Sequence, residues 1–151
     1  IASGGIADGR GLAAALVLGA EGINMGTRFC ATREAPIHEN IKQALIGATE
    51  RQTNLIFRTL HNTGRVLKNA VSDEVVGTEN RLGGCEFADI HPLVAGSRGR
   101  AALESGDVDA GLVWAGQVVG LMHDIPTCAE LIERIVADCR EVLARRLAAF
   151  D

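Results

Sequence analysis

The chain contains no tyrosine, and its aromatic residues, four Phe and a single Trp, make up only 3% of it. That scarcity excludes a stacking platform for single-stranded nucleic acid. Positive charge is not in excess either. Fifteen Lys and Arg stand against 19 Asp and Glu, for a net charge of −4 and a pI near 5.6. A basic footprint for nucleic acid or an anionic membrane is therefore missing. No run reaches the ~18 apolar residues of a membrane span. The four cysteines (Cys30, Cys85, Cys128, Cys139) include no C-x-x-C pair. They suggest neither zinc nor a disulfide framework, and read as free thiols of a reducing, cytoplasmic compartment. His38, His61, His91 and His123 lie apart without metal-binding spacing, so no metal is expected and each is given a surface or capping role. Low-complexity tracts and internal repeats are also absent. The chain opens without an initiating Met, inside an apparent strand.

Glycine, in contrast, is plentiful, with 18 residues. Its placement at the start carries the most information. Ile1-Ala2-Ser3-Gly4-Gly5-Ile6-Ala7-Asp8 reads as a strand end, a glycine turn and the cap of a helix from about Gly9 to Leu18, closed by Gly19. Ile23-Asn24-Met25-Gly26-Thr27 reads as a second strand end with a second glycine turn. Two turns about twenty residues apart at one sheet edge put backbone N–H groups side by side, which is how a phosphate is held without charged side chains. Ser3 and Thr27 add hydroxyls, and the amino end of the first helix is expected to face the anion. Glycines placed for turn sterics alone are the competing explanation. Arg28 follows directly and either adds a charge to the anion or pairs with a carboxylate elsewhere.

At these residues the chain resembles the nitronate monooxygenase family, formerly the 2-nitropropane dioxygenases. The likeness rests on Ser3-Gly4-Gly5-Ile6-Ala7-Asp8-Gly9 and Met25-Gly26-Thr27-Arg28-Phe29. It continues in Thr32-Arg33-Glu34-Ala35-Pro36-Ile37-His38, in Arg65-Val66-Leu67-Lys68-Asn69, and in Gly106-Asp107-Val108-Asp109-Ala110-Gly111. Ala115-Gly116-Gln117-Val118-Val119-Gly120-Leu121 extends it further, so it covers nearly the whole chain. It is closest to bacterial members, including NADH:quinone reductases.

The resemblance implies an α/β fold, the C-terminal part of a TIM (β/α)8 barrel with a mainly helical second lobe. A complete barrel needs about 250 residues, so the chain reads as a portion of a longer protein. Residues 1–36 would hold barrel strands 7 and 8, residues 37–124 the lobe covering a flavin, and residues 125–151 a helix packing on the barrel. FMN is the implied cofactor, its phosphate clamped by Ser3, Gly4, Gly5, Gly26 and Thr27. The family's catalytic histidine, flavin-contacting lysine and first-strand glycines would lie upstream of Ile1. The implied activity is oxidative denitrification of alkyl nitronates with O2. The alternatives on the same fold are an NAD(P)H:quinone reductase and a flavin-dependent enoyl-acyl-carrier-protein reductase. The segment around Trp114 and Gln117 matches the part of the family that approaches the isoalloxazine ring and substrate. Trp114 would narrow that pocket, unless it packs in the core beneath the last helix.

Past Phe29 the periodicity turns helical. Helices are expected at about 37–48, 65–71, 73–80, 89–95, 98–104 and 116–122, with an extended piece at 55–58 and a turn at Gly83-Gly84. The last element is the clearest. Thr127 and Glu130 form a capping box, and Leu131, Ile132, Ile135, Val136, Cys139, Val142, Leu143 and Leu147 recur at three- and four-residue spacing. That stripe can serve its own barrel or a second copy, which keeps a homodimer open. Two readings of other kinds remain. One is a phosphate-binding barrel without flavin, on the pattern of IMP dehydrogenase, with Cys30 as its thiol but without the glycine-rich loop that pattern needs. The other is a non-enzymatic interaction module built on the last helix.

Overall fold

The computed structural model describes residues 1–81 and 84–149. Strand β1 (Ala2–Ser3) and strand β2 (Ile23–Asn24) pair in parallel, with Ala2 opposite Ile23 and Ser3 opposite Asn24. Helix α1 (Gly9–Val17) joins them. The Asp8 carboxylate caps it by accepting from the N–H groups of Arg10 (3.0 Å) and Gly11 (3.2 Å). At the other end Gly19, at φ +91°, takes the left-handed conformation that stops a helix at low steric cost. The strand–helix–strand unit makes the fold α/β; two strands do not close a barrel.

A one-turn helix α2 (Thr27–Cys30) follows the second glycine turn, then α3 (Glu39–Gly47), capped by His38, whose Nδ1 accepts from the Asn40 N–H at 3.1 Å. Next comes an antiparallel hairpin, β3 (Thr53–Ile56) with β4 (Gly64–Leu67). The helices α4 (Ala70–Glu79), α5 (Phe87–Val94) and α6 (Gly96–Ser105), a 3-10 turn at Gln117–Leu121 and α7 (Cys128–Leu147) complete the chain.

Strand β4 corrects the helix expected at 65–71. Asn69 explains the shift: its side chain accepts from the Ser72 N–H while the Ser72 hydroxyl accepts from the Asn69 N–H, so the helix starts only at Ala70. Upstream, Val66 and Leu67 are both buried, on opposite faces of an extended segment covered on each side. The stretch expected to form the lobe is thus helix-rich around a central hairpin. Of the expected Gly83-Gly84 turn, Gly83 lies outside the described residues and Gly84 is left-handed at φ +92°.

Two apolar clusters form the interior. One joins Ala7 and Ala31 to Ile41, Leu45, Leu67, Val113, Ala115 and Val119, and so runs unbroken across position 36. The other lies under the hairpin, among Ile56, Val66, Val71, Val75, Ile90 and Leu112. Asn69 ties the two by donating from Nδ2 to the carbonyls of Val108 (2.6 Å) and Gly111 (2.7 Å).

Helix α7 packs along α1. Leu131, Ile135 and Cys139 are buried, whereas Ile132, Val136 and Leu147 stay exposed, so only one edge of the apolar stripe is covered. The two helices meet at Gly9, where a Cβ would land 2.7 Å from the Ile135 carbonyl oxygen and against the Asp138 side chain. Gly9→Val is therefore expected to cost about 1–3 kcal/mol through overpacking. Gly47→Ala, with no atom within 4 Å of the added carbon, should leave the thermal midpoint equal or raised, since alanine favours helix. Equal melting temperatures for Gly9→Val and wild type would refute this account of the contact.

Candidate functional site

The parallel register puts the two glycine turns next to each other. Gly4 and Gly5 leave the carboxyl end of β1, and Met25-Gly26 leaves that of β2. They face a cleft of about 410 Å³, whose wall includes Ser3, Gly4, Gly5, Gly26 and Thr27. Trp114, with its neighbours Ala115 and Gly116, closes it from the lobe, and Arg65 and Cys30 also reach it. Among the described residues, no acidic side chain lines it. Gln117 stands apart from the cleft: its side-chain amide donates to the Glu50 carbonyl at 3.3 Å.

The glycines have different reasons to be there. Gly4 and Gly5 sit at φ +87° and +72°, a conformation that side chains disfavour. Gly26 has φ −90°, open to any residue, and a Cβ built on it would meet nothing within 4 Å. Neither backbone strain nor a protein neighbour requires glycine at that position. What the missing carbon keeps free is space in the cleft.

Thr27 joins the turn to the lobe, its Oγ1 accepting from the Gly116 N–H at 3.0 Å. Its hydroxyl proton stays available to a ligand. The amino end of α1, expected to face an anion, is instead closed by Asp8, which lies in a separate depression with Arg28 and Asp124. Arg28 resolves toward a carboxylate. Its side chain is 3% exposed, with Nη2 2.6 Å from Asp124 Oδ1, and Nη1 donates to the Asp124 carbonyl at 3.1 Å. Asp124 also takes Arg134 at 2.6 Å. The Arg134 hydrogen bond, opposed by partial burial and helped by both cations, holds the Asp124 carboxyl below its usual range. Burial pushes the Cys30 thiol up, which leaves it protonated rather than an activated nucleophile.

Trp114 is 57% exposed and does not lie beneath α7. Residue 114 bridges to Val66 as an extra antiparallel partner, and its ring covers Gly64, where a Cβ would strike Cζ3 at 2.5 Å. Phe57 stands beside it, ring centroids 6.3 Å apart. Phe57 and His61 hold left-handed φ values of 61° and 54° without being glycine. The buried Glu79 carboxylate fixes this loop, accepting from the N–H groups of Phe57 (3.0 Å) and Thr59 (3.2 Å) and from the Thr59 hydroxyl (2.9 Å).

Sequence reasoning missed Phe57, Glu79 and Arg65 as parts of this site. For Arg65 a signal was present, since Asn69 and Ser72 have the spacing of a helix start and leave the preceding residues extended. The four histidines are exposed, and no group of three His, Cys, Asp or Glu side chains is placed to hold a metal among the described residues. No helix there is long and apolar enough to cross a membrane.

Comparison with known proteins extends these observations. A family model described as nitronate monooxygenase matches residues 1–138. A (3aS,4S,5R,7aS)-5-hydroxy-7a-methyl-1-oxo-octahydro-1H-indene-4-carboxyl-CoA dehydrogenase of Rhodococcus jostii is 30% identical over 91% of this chain and 49% of its own length. A nitronate monooxygenase of Paraburkholderia phytofirmans is 34% identical over 93% of this chain and 38% of its own. The solved structure of FabK from Thermotoga maritima superposes with a TM-score of 0.88 at 32% identity, over 99% of this chain and 46% of that one. The chain thus spans half or less of the length of these relatives.

Asp124→Asn removes the counter-charge of a buried guanidinium. It should cost about 1–3 kcal/mol near neutral pH, less than a fully buried pair because Asp124 is half exposed. A carboxyl with a lowered folded pKa contributes stability that is complete above its unfolded value of 3.8 and is lost as pH falls through the folded one. Thermal midpoints should therefore differ most between wild type and Asp124→Asn well above pH 3.8 and converge as pH falls through the lowered folded pKa. A gap that stays constant through that range would contradict the pairing.

Proposed function

Because the chain belongs to the nitronate monooxygenase family, we propose that it is the phosphate-binding part of an FMN-dependent oxidoreductase built on a TIM barrel, acting as a nitronate monooxygenase on alkyl nitronates with O2. The observation that carries this reading is Gly26, whose missing side chain leaves a space with no described atom of the chain within 4 Å. The adjoining donors fit a phosphate: two glycine turns at the ends of parallel strands, with the Ser3 and Thr27 hydroxyls beside them. FMN would supply the electron-transfer chemistry.

The chain's own part is positional. Gly4, Gly5, Gly26 and Thr27 hold the anionic end, and the Thr27–Gly116 bond fixes the lobe to that anchor. Trp114, braced by Phe57 and Gly64, narrows the cleft above and limits water access. The unpaired thiols fit a cytoplasmic setting. A second reading, oxidoreduction of an acyl thioester, is favoured by the CoA-linked name of the Rhodococcus jostii relative and the high TM-score to FabK.

An absorbance spectrum of the full-length protein, with anaerobic additions of propyl-2-nitronate and of NADH, tests the proposal. Flavin bands bleached by nitronate and not by NADH are expected. Bleaching by NADH alone would transfer the assignment to quinone or thioester reduction, and no flavin bands after incubation with FMN would overturn it. Gly26→Val should fold yet retain on the order of tenfold less FMN, because the new methyls occupy the ligand's space. Full flavin content in that variant would sink the clamp.

A further inference from the structure

Arg65 is the only charged side chain lining the cleft among the described residues, in a protein whose net charge is negative. It pairs with no carboxylate there. Its one hydrogen-bond partner is neutral: Nη1 donates to Thr53 Oγ1 at 2.8 Å, a diagonal neighbour on β3. A guanidinium carries five N–H donors in a planar fork, so this bond orients the group and leaves most of the fork for a ligand. The backbone is fixed as well, since the Arg65 carbonyl accepts from the Ala115 N–H at 3.4 Å beside the Val66–Trp114 bridge. Arg65 therefore belongs to the Trp114 side of the cleft, on the lobe, whereas the uncharged donors proposed for the phosphate sit on β1 and β2.

We propose that Arg65 is a specificity-determining residue whose guanidinium binds a planar anionic head group of the substrate, namely the two oxygens of a nitronate. The proposal rests on the functional reading above and deepens it. A nitronate has the shape and charge of a carboxylate, and a planar fork meets two such oxygens with parallel charge-assisted bonds. A neutral nitroalkane presents the same two oxygens without the net charge, and a quinone has no such oxygen pair, so the cleft would favour the ionised substrate.

The test uses the full-length flavoprotein and its Arg65→Ala and Arg65→Lys variants. Three quantities are measured: bound FMN, the affinity for nitrate as an unreactive planar anion (read from the flavin absorbance), and kcat and KM for propyl-2-nitronate. Arg65→Ala should keep its FMN while nitrate affinity falls and nitronate KM rises by about 10- to 100-fold. Arg65→Lys should recover part of that loss, because charge returns without the fork. Its FMN content also shows that the site still folds. FMN lost from Arg65→Ala would assign Arg65 to the cofactor's phosphate and overturn the proposal, as would no change in any quantity. Wild-type protein that binds nitrate through Arg65 but turns over no nitronate would overturn the monooxygenase reading alone.

Discussion

A buried guanidinium must keep its counter-charge, and much of this structure follows from how Arg28 does so. The residue comes immediately after the second glycine turn, with its side chain almost fully removed from water. Leaving that charge unpaired would cost about 1–3 kcal/mol, the partner being half exposed. Asp124 meets it from almost a hundred residues away and holds Arg134 of α7 at the same time. One carboxylate thus links the turn after β2, the segment before α7 and α7 itself. Since α7 also packs on α1 through Gly9, the helix between the two strands is held from the same side. This closed circuit supports the cleft's glycine wall alongside the parallel pairing of β1 with β2.

The circuit also explains which features were legible in the sequence. The Asp8 cap, the Thr127–Glu130 capping box and the left-handed Gly4, Gly5 and Gly19 are written within a few neighbouring residues, and so they could be read directly. The partner of Arg28 lies far along the chain, and no spacing rule points from one to the other. The hairpin was lost for a related reason. Gly64 to Leu67 is too short to display a period, and its strand character depends on β3 and on residue 114 pairing with it. Trp114 was hardest to place. A lone Trp among small residues reads equally well as core, and only the Gly64 gap and the left-handed Phe57 show why it stands at the surface. The amino end of α1 is instructive in the opposite direction. A helix start beside a glycine turn suggests an anion site, but the residue that caps it also consumes its free N–H groups.

The cleft divides its work between two kinds of wall. On the strand side are glycines and hydroxyls, which can hold an anion by geometry and without charge. On the lobe side are Trp114, braced from behind by Phe57 and the loop that Glu79 holds, and one cation with an uncommitted fork. The two walls rest on different supports. The first depends on parallel strand register, a property of the whole fold. The second depends on a hairpin, from which Arg65 reaches the cleft. Proteins with differently named activities match this chain in sequence, the dehydrogenase relative at 30% and the nitronate monooxygenase relative at 34% identity. On the proposed reading, the strand wall would hold the phosphate, and Arg65 on the hairpin with Trp114 bridged to it would set the charge and width that a substrate meets.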